Sequence, residues 1–139
     1  MSIDSLFSAA RAVRERAYAP YSGFQVGAAL LSRGGHVFLG CNVENAAYPS
    51  GTCAEQAAIA AMVAAGETEI IAIAIVGSAG EPCFPCGACR QRLRELSTSN
   101  IPIIAGGALG ADRIETDLET LLPHAFGPSQ LPGLSGLDG

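Results

Sequence analysis

Lysine is absent from the 139 residues. All eight cations are arginines, set against thirteen acidic residues for a net charge of −5. The arginines form no basic run or stripe, which argues against a long phosphate backbone as a ligand. Charged residues make up only 15% of the chain and apolar residues 49%, the balance of a globular protein and not of a disordered one. No apolar run approaches the roughly 20 residues that a membrane-spanning helix requires. The first twenty residues hold neither a basic n-region nor a small-residue cleavage site, so no secretory signal is expected. These absences leave the cytoplasm as the expected compartment, and neither a membrane nor nucleic acid as an expected partner. At this length the chain is expected to be one domain over 1–139, with the Gly- and Pro-containing segment 127–139 as a loose tail.

What is present is strongly patterned. Ile3, Leu6, Phe7, Ala10, Val13 and Ala17 recur at helical spacing until Pro20 stops them. Val26 to Leu31 and Val37 to Cys41 read as two strands joined by the turn Ser32-Arg33-Gly34-Gly35. A polar loop from Asn42 to Gly51 leads to an alanine-rich helix over Ala54 to Ala65, ended by Gly66. Ile70 to Val76 is apolar on both faces, as a central strand covered by helices should be. After a loop over Gly77 to Phe84, Pro85 suits a first helical turn, with Gly87 to Ser97 as the third helix. Ile101 to Ala105 reads as another strand and Leu118 to Leu122 as a short helix. Strands alternating with helices imply a layered α/β sheet whose first two strands are antiparallel.

The five cysteines are too bunched for a disulfide framework, since Cys83, Cys86 and Cys89 lie within seven residues. Thr52-Cys53-Ala54-Glu55 and Pro85-Cys86-Gly87-Ala88-Cys89 together place one thiol two residues before a carboxylate and two more at the start of another helix. Three thiolates would leave one tetrahedral position of a zinc ion open, the catalytic arrangement. This spacing is the zinc deaminase signature. Two helix N-termini would direct partial positive charge at the three sulfurs. Taken separately, the motifs admit plainer readings. Thr52 to Glu55 could be a helix capping box, and Cys83 could join the other cysteines in a closed structural site. Taken together they favour Cys53, Cys86 and Cys89, because Cys83 precedes Pro85, outside the turn that brings Cys86 and Cys89 to one side. Cys41, at a strand end, reads as a small buried hydrophobe.

Across almost its whole length the sequence resembles the small, homotetrameric, zinc-dependent cytidine deaminases. The likeness runs from Tyr18-Ala19-Pro20-Tyr21-Ser22-Gly23-Phe24 through Gly40-Cys41-Asn42-Val43-Glu44-Asn45 to Leu121-Leu122-Pro123-His124-Ala125-Phe126-Gly127. The resemblance implies a three-layer α/β/α sandwich around a five-stranded mixed sheet. It also implies hydrolytic deamination of cytidine and deoxycytidine to uridine and deoxyuridine. Carried over residue by residue, Cys53, Cys86 and Cys89 hold one zinc per subunit and Glu55 shuttles protons. Asn42 and Glu44 bind the sugar, Phe24 packs near the pyrimidine and Ala54 offers a backbone contact. Ala46, Tyr48 and Phe126 reach into the site of a neighbouring subunit, so a homo-oligomer, a homotetramer, is implied.

From the residues alone, Phe24 reads more simply as core, and Asn42 and Glu44 as solvated loop residues. Their alternate spacing on an extended segment would nevertheless point both toward one hydroxyl. Phe126, large and apolar before a Gly- and Pro-rich tail, suits a position that a partner covers. The chain departs from the family in three places. Gln56 stands where an arginine often follows the glutamate and offsets the thiolates, Gln25 where proline is common, and Phe84 where serine is common. In the implied reaction zinc brings a water's pKa toward neutrality, and Glu55 carries one proton to the ring nitrogen and then a second to the departing amine. Three other functions compete with this one. They are a deaminase of single-stranded nucleic acid, a deaminase of a cytosine-containing antibiotic, and a non-catalytic module with a four-cysteine zinc site.

Overall fold

The computed structural model describes residues 1–109 and 112–131. Its elements follow in the order α1 (Ile3–Arg14), β1 (Gly27–Ser32), β2 (Val37–Cys41), α2 (Ala54–Ala64), β3 (Ile70–Val76), α3 (Gly87–Glu95), β4 (Pro102–Gly106), β5 (Arg113–Asp117) and α4 (Leu118–Leu121). The strands form one mixed sheet in the order β2-β1-β3-β4-β5. β1 is antiparallel to both β2 and β3, β3 is parallel to β4, and β5 closes the edge antiparallel to β4.

Side-chain alternation divides the sheet's two faces. Ala28, Leu30, Ile73, Ile75 and Ile103 point to the side covered by α2, α3 and α4, where Ala54, Ala58, Met62, Leu93 and Leu118 meet them. Ala29, Ala72, Ala74, Val76 and Ile104 point to the other side, packed by Leu6, Phe7 and Ala10 of α1. The result is the three-layer α/β/α arrangement, with β3 buried on both faces as its apolar run predicts. Small residues let the helices approach closely. A Cβ on Gly106 would lie 2.2 Å from the Phe7 ring, and one on Gly40 would lie 2.2 Å from the carbonyl oxygen of Ala54 in α2.

The strand register determines where loops converge. Gly27 pairs with Cys41 on one side and Val76 on the other, and Val76 pairs with Gly106. Because β2 and β3 run the same way, this one row marks the end of both. The loop entering β1 (21–26), the loop leaving β2 (42–53) and the loop leaving β3 (77–86) therefore open at the same end of the sheet, above the N-termini of α2 and α3.

Several sequence readings are corrected. The apolar pattern running to Ala17 overshoots α1, which ends at Arg14 and continues only as a turn. Thr52 is not the cap of α2, and Pro85 is not inside α3. Cys53 and Cys86 are themselves the N-caps, each with extended φ/ψ and no side-chain cap bond. Periodicity does not reveal β5, because Arg113, Glu115, Thr116 and Asp117 give it a polar edge-strand composition. Of the tail read as loose, Pro128–Gln130 form a single 3-10 turn, with Gln130 Oε1 accepting from the Gly127 N–H at 2.6 Å; 132–139 lie outside the described residues.

Candidate active site

Since Cys53 and Cys86 both cap helices that start at the same end of the sheet, their sulfurs meet. Cys89 lies one turn into α3, at i+3 from Cys86, so its sulfur joins them. The three Sγ atoms lie within 4.8 Å of one another, and Cys83 is not in the group. The group thus lacks the fourth sulfur that a closed structural site would need. Three thiols with this proximity fit a zinc ion, which takes sulfur ligands at about 2.3 Å in a tetrahedron. Backbone N–H groups of the first turn of α3, above all that of Cys89, hold the Cys86 thiol below its ordinary range. Burial drives the Cys89 thiol upward and the Cys83 thiol up to about 11.

Glu55, in the first turn of α2, is only 5% exposed. Burial raises its carboxyl above the usual range, while its own backbone N–H, the Cys89 thiol and the Arg92 guanidinium pull it back. A buried carboxyl with a raised pKa, beside three thiols that could hold a metal ion, is a candidate for proton transfer.

The cleft above these groups has a volume of about 720 Å³ and is lined by Phe24, Val26, Asn42, Glu44, Tyr48, Ala54, Glu55, Cys83 and Phe84 among others. Its size suits a nucleoside-sized ligand, and among the described residues no lysine or arginine lines it. Phe24, 39% exposed, faces this cleft and not the core. Asn42 Oδ1 accepts from the Val26 N–H at 2.8 Å, and its Nδ2 donates to the Phe24 carbonyl at 2.8 Å. Glu44 Oε1 accepts from the Tyr21 and Ser22 N–H groups at 2.9 and 3.1 Å, and Oε2 accepts from the Ser22 hydroxyl. Both side chains thus pin the 21–26 loop to the 42–53 loop while lining the cleft. The Ser22 hydroxyl is the main cause of a Glu44 carboxyl held below the usual carboxylate range.

The residues implied to serve a neighbouring subunit are placed differently. Tyr48 is 79% exposed, lines the cleft of its own chain and meets Tyr21 edge-on, with ring centroids 6.4 Å apart. Ala46 is exposed. Phe126 is 57% exposed and does not line this cleft; its carbonyl accepts from Gln91 Nε2 of α3 at 2.8 Å.

Three residues stand at the site without a role assigned to them from the sequence. Cys83, set aside as a ligand, and Phe84, noted as a departure from the family, both line the cleft. Arg92 Nη1 reaches Cys89 Sγ at 3.6 Å, and here the i, i+3 spacing on a helix was a usable signal.

Comparison with known proteins places this geometry in a family. The family model for the cytidine and deoxycytidylate deaminase zinc-binding region matches residues 1–105. A cytidine deaminase of Sporosarcina psychrophila is 40% identical over 131 residues, which cover 94% of this chain and 96% of that protein. The crystal structure of cytidine deaminase from Burkholderia pseudomallei is similar with a TM-score of 0.85 and 46% identity, covering 91% of this chain and 100% of that one. That of Mycobacterium tuberculosis follows at 0.79 and 39%, covering 91% and 98%. With its clustered thiols, its buried carboxyl and these relatives along nearly its full length, the chain belongs to the cytidine deaminase family.

Proposed function

We propose that this chain is a single catalytic domain that hydrolyses cytidine and deoxycytidine to uridine and deoxyuridine, releasing ammonia, with one zinc per subunit on Cys53, Cys86 and Cys89. The observation that carries this reading is the buried Glu55 beside three sulfurs within 4.8 Å of one another, under a cleft of nucleoside size. When bound, zinc supplies a Lewis acid that brings water into an ionisable range near neutrality. Glu55 accepts a proton from the attacking water and delivers it to the pyrimidine ring nitrogen as the water oxygen adds at C4. It then passes the second proton to the exocyclic amine, which leaves as ammonia. Phe24 offers a flat apolar contact to the base and Ala54 a backbone contact. Asn42 and Glu44 hold one wall of the cleft, with acceptor capacity left for a sugar hydroxyl.

The lack of a cationic lining residue favours an uncharged nucleoside over a nucleotide or a nucleic-acid strand. Relatives named cytidine deaminase, covering most of both chains, do not favour the antibiotic reading. Oligomerisation, with a homotetramer as the expected state, is supported by the exposure of Ala46, Tyr48 and Phe126. It is supported equally by α2, whose Ala60, Ala61, Val63 and Ala64 are exposed although the helix is apolar on every side. The cytoplasm is the proposed compartment; no described helix is long and apolar enough to cross a membrane.

The test is Glu55→Gln, assayed for bound zinc and for loss of cytidine absorbance in the same preparation. Two proton transfers pass through this residue, and general acid–base steps each contribute about 10²–10⁴-fold. The variant should keep its zinc and its fold while losing turnover by several orders of magnitude. More than roughly a tenth of parental turnover would exclude this proton route.

A further inference from the structure

We propose that Arg92 is a positioning residue for the three-sulfur centre, its guanidinium supplying from α3 the positive charge that stabilises the zinc-loaded thiolates. The inference rests on the zinc reading of Cys53, Cys86 and Cys89 given above.

A zinc ion on three thiolates carries a net single negative charge, and an ionised Glu55 beside it adds another. The three thiols are neutral when protonated in the zinc-free site, so loading adds one negative charge to this corner of the molecule. A nearby cation therefore favours the loaded state. Arg92 is placed to be that cation, with Nη1 3.6 Å from the buried Cys89 sulfur. The same guanidinium lies near enough to the Cys53 sulfur and the Glu55 carboxylate to act on both electrostatically. One side chain thus touches one of the proposed ligands and bears on a second and on the carboxylate through its charge.

The other arginines of α3 are committed elsewhere. Arg90 donates to the carbonyls of Pro85 at 2.7 Å and Leu121 at 2.9 Å, clamping the loop before Cys86 onto α4. Arg94 turns to the Ser97 carbonyl at 3.4 Å and lies against Gly127. On α2 the residue that follows Glu55 is the neutral Gln56. Helix geometry explains the reach of Arg92: it lies at i+3 from Cys89, so the two side chains share a face of α3. The geometry also supplies a second place for the charge. Gln56 lies at i+3 from Cys53, the N-cap of α2, so an arginine at 56 would reach the sulfurs from the opposite helix.

The experiment is a zinc titration against a chromophoric chelator at neutral pH, with the full chain and without substrate, for the parent, Arg92→Gln and the double variant Arg92→Gln/Gln56→Arg. Arg92 is exposed in the chain, so glutamine leaves no cavity behind it. Removing a partner of a metal ligand typically weakens binding by about 10–100-fold. Arg92→Gln should accordingly lose roughly tenfold or more in zinc affinity, and the double variant should return to within about threefold of the parent. A merely structural role for Arg92 cannot produce that recovery, because the restored charge comes from a different helix. Unchanged affinity in Arg92→Gln overturns the proposal, as does a loss that Gln56→Arg does not repair. Failure of the parent to bind zinc at all would instead overturn the reading of the site itself.

Discussion

Glu44 shows how one carboxylate can build a cleft wall before any ligand arrives. Its two oxygens take two backbone N–H groups and a hydroxyl from Tyr21 and Ser22, holding the segment that presents Phe24. The Ser22 hydroxyl holds its carboxyl below the ordinary value. A group depressed in the folded state stabilises that state fully above the unfolded pKa, near 4.3 for glutamate. The contribution disappears as pH falls through the folded value. Glu44→Gln keeps an acceptor but has no proton to gain. Between about pH 5 and 3 its melting temperature should therefore fall less steeply than the parent's. Glu67, Glu69 and Asp117, also depressed, would supply the remaining slope in both proteins. Parallel curves would mean that the Ser22 contact is not formed in solution.

Among the elements, α2 matters most to the site, since it carries Cys53 at its cap and Glu55 in its first turn. Its height above the sheet is determined by Gly40. A Cβ there would meet the Ala54 carbonyl oxygen at 2.2 Å and the Ala58 nitrogen at 2.4 Å, both backbone atoms that cannot rotate away. Gly40→Ala should push the helix outward, costing about 1–3 kcal/mol as overpacking does. It should also weaken zinc binding, because Cys53 moves while Cys86 and Cys89 stay on α3. Gly80→Ala, where an added methyl meets open space, is the control and should change stability by less than about 0.5 kcal/mol. Thermal unfolding and zinc content of the two variants decide the matter; equal behaviour would show that α2 has room to spare.

On the scale of the whole molecule, several large apolar side chains are exposed. Val63 on α2, Tyr48 beside the cleft and Phe126 near the C-terminal turn are 46%, 79% and 57% exposed. Gln91 holds the backbone carbonyl of Phe126 and leaves the ring free. If Phe126 completes a neighbour's cleft, two inactive chains should complement each other. Glu55→Gln mixed and reassembled with Phe126→Ala should regain activity, because hybrid oligomers contain sites with an intact Glu55 and another chain's Phe126. Subunit exchange without any recovery would show that each chain completes its own site.

Much of this protein is legible in one dimension. The Cys53-x-Glu55 and Cys86-x-x-Cys89 spacings, the helical period of α1 and the two-sided apolar run of β3 depend on local periodicity, which the order of residues carries directly. From these came the layered α/β class, the choice of three sulfurs and the carboxyl beside them. Residue order alone does not express what depends on pairing across distance. β5 is polar, and its strand state comes from hydrogen bonding along β4. The caps of α2 and α3 are the cysteines themselves, a choice that local capping preferences would have given to Thr52. The row Cys41–Gly27–Val76–Gly106 aligns three loops at one end of the sheet, and strand register is a property of partners that no single segment contains. The meeting of Cys53 with Cys86 and Cys89, and the placing of Glu44 against the 21–26 loop, follow from that alignment. Side-chain chemistry was determined by sequence; which charges and donors meet was decided only once the sheet had brought their helices and loops together.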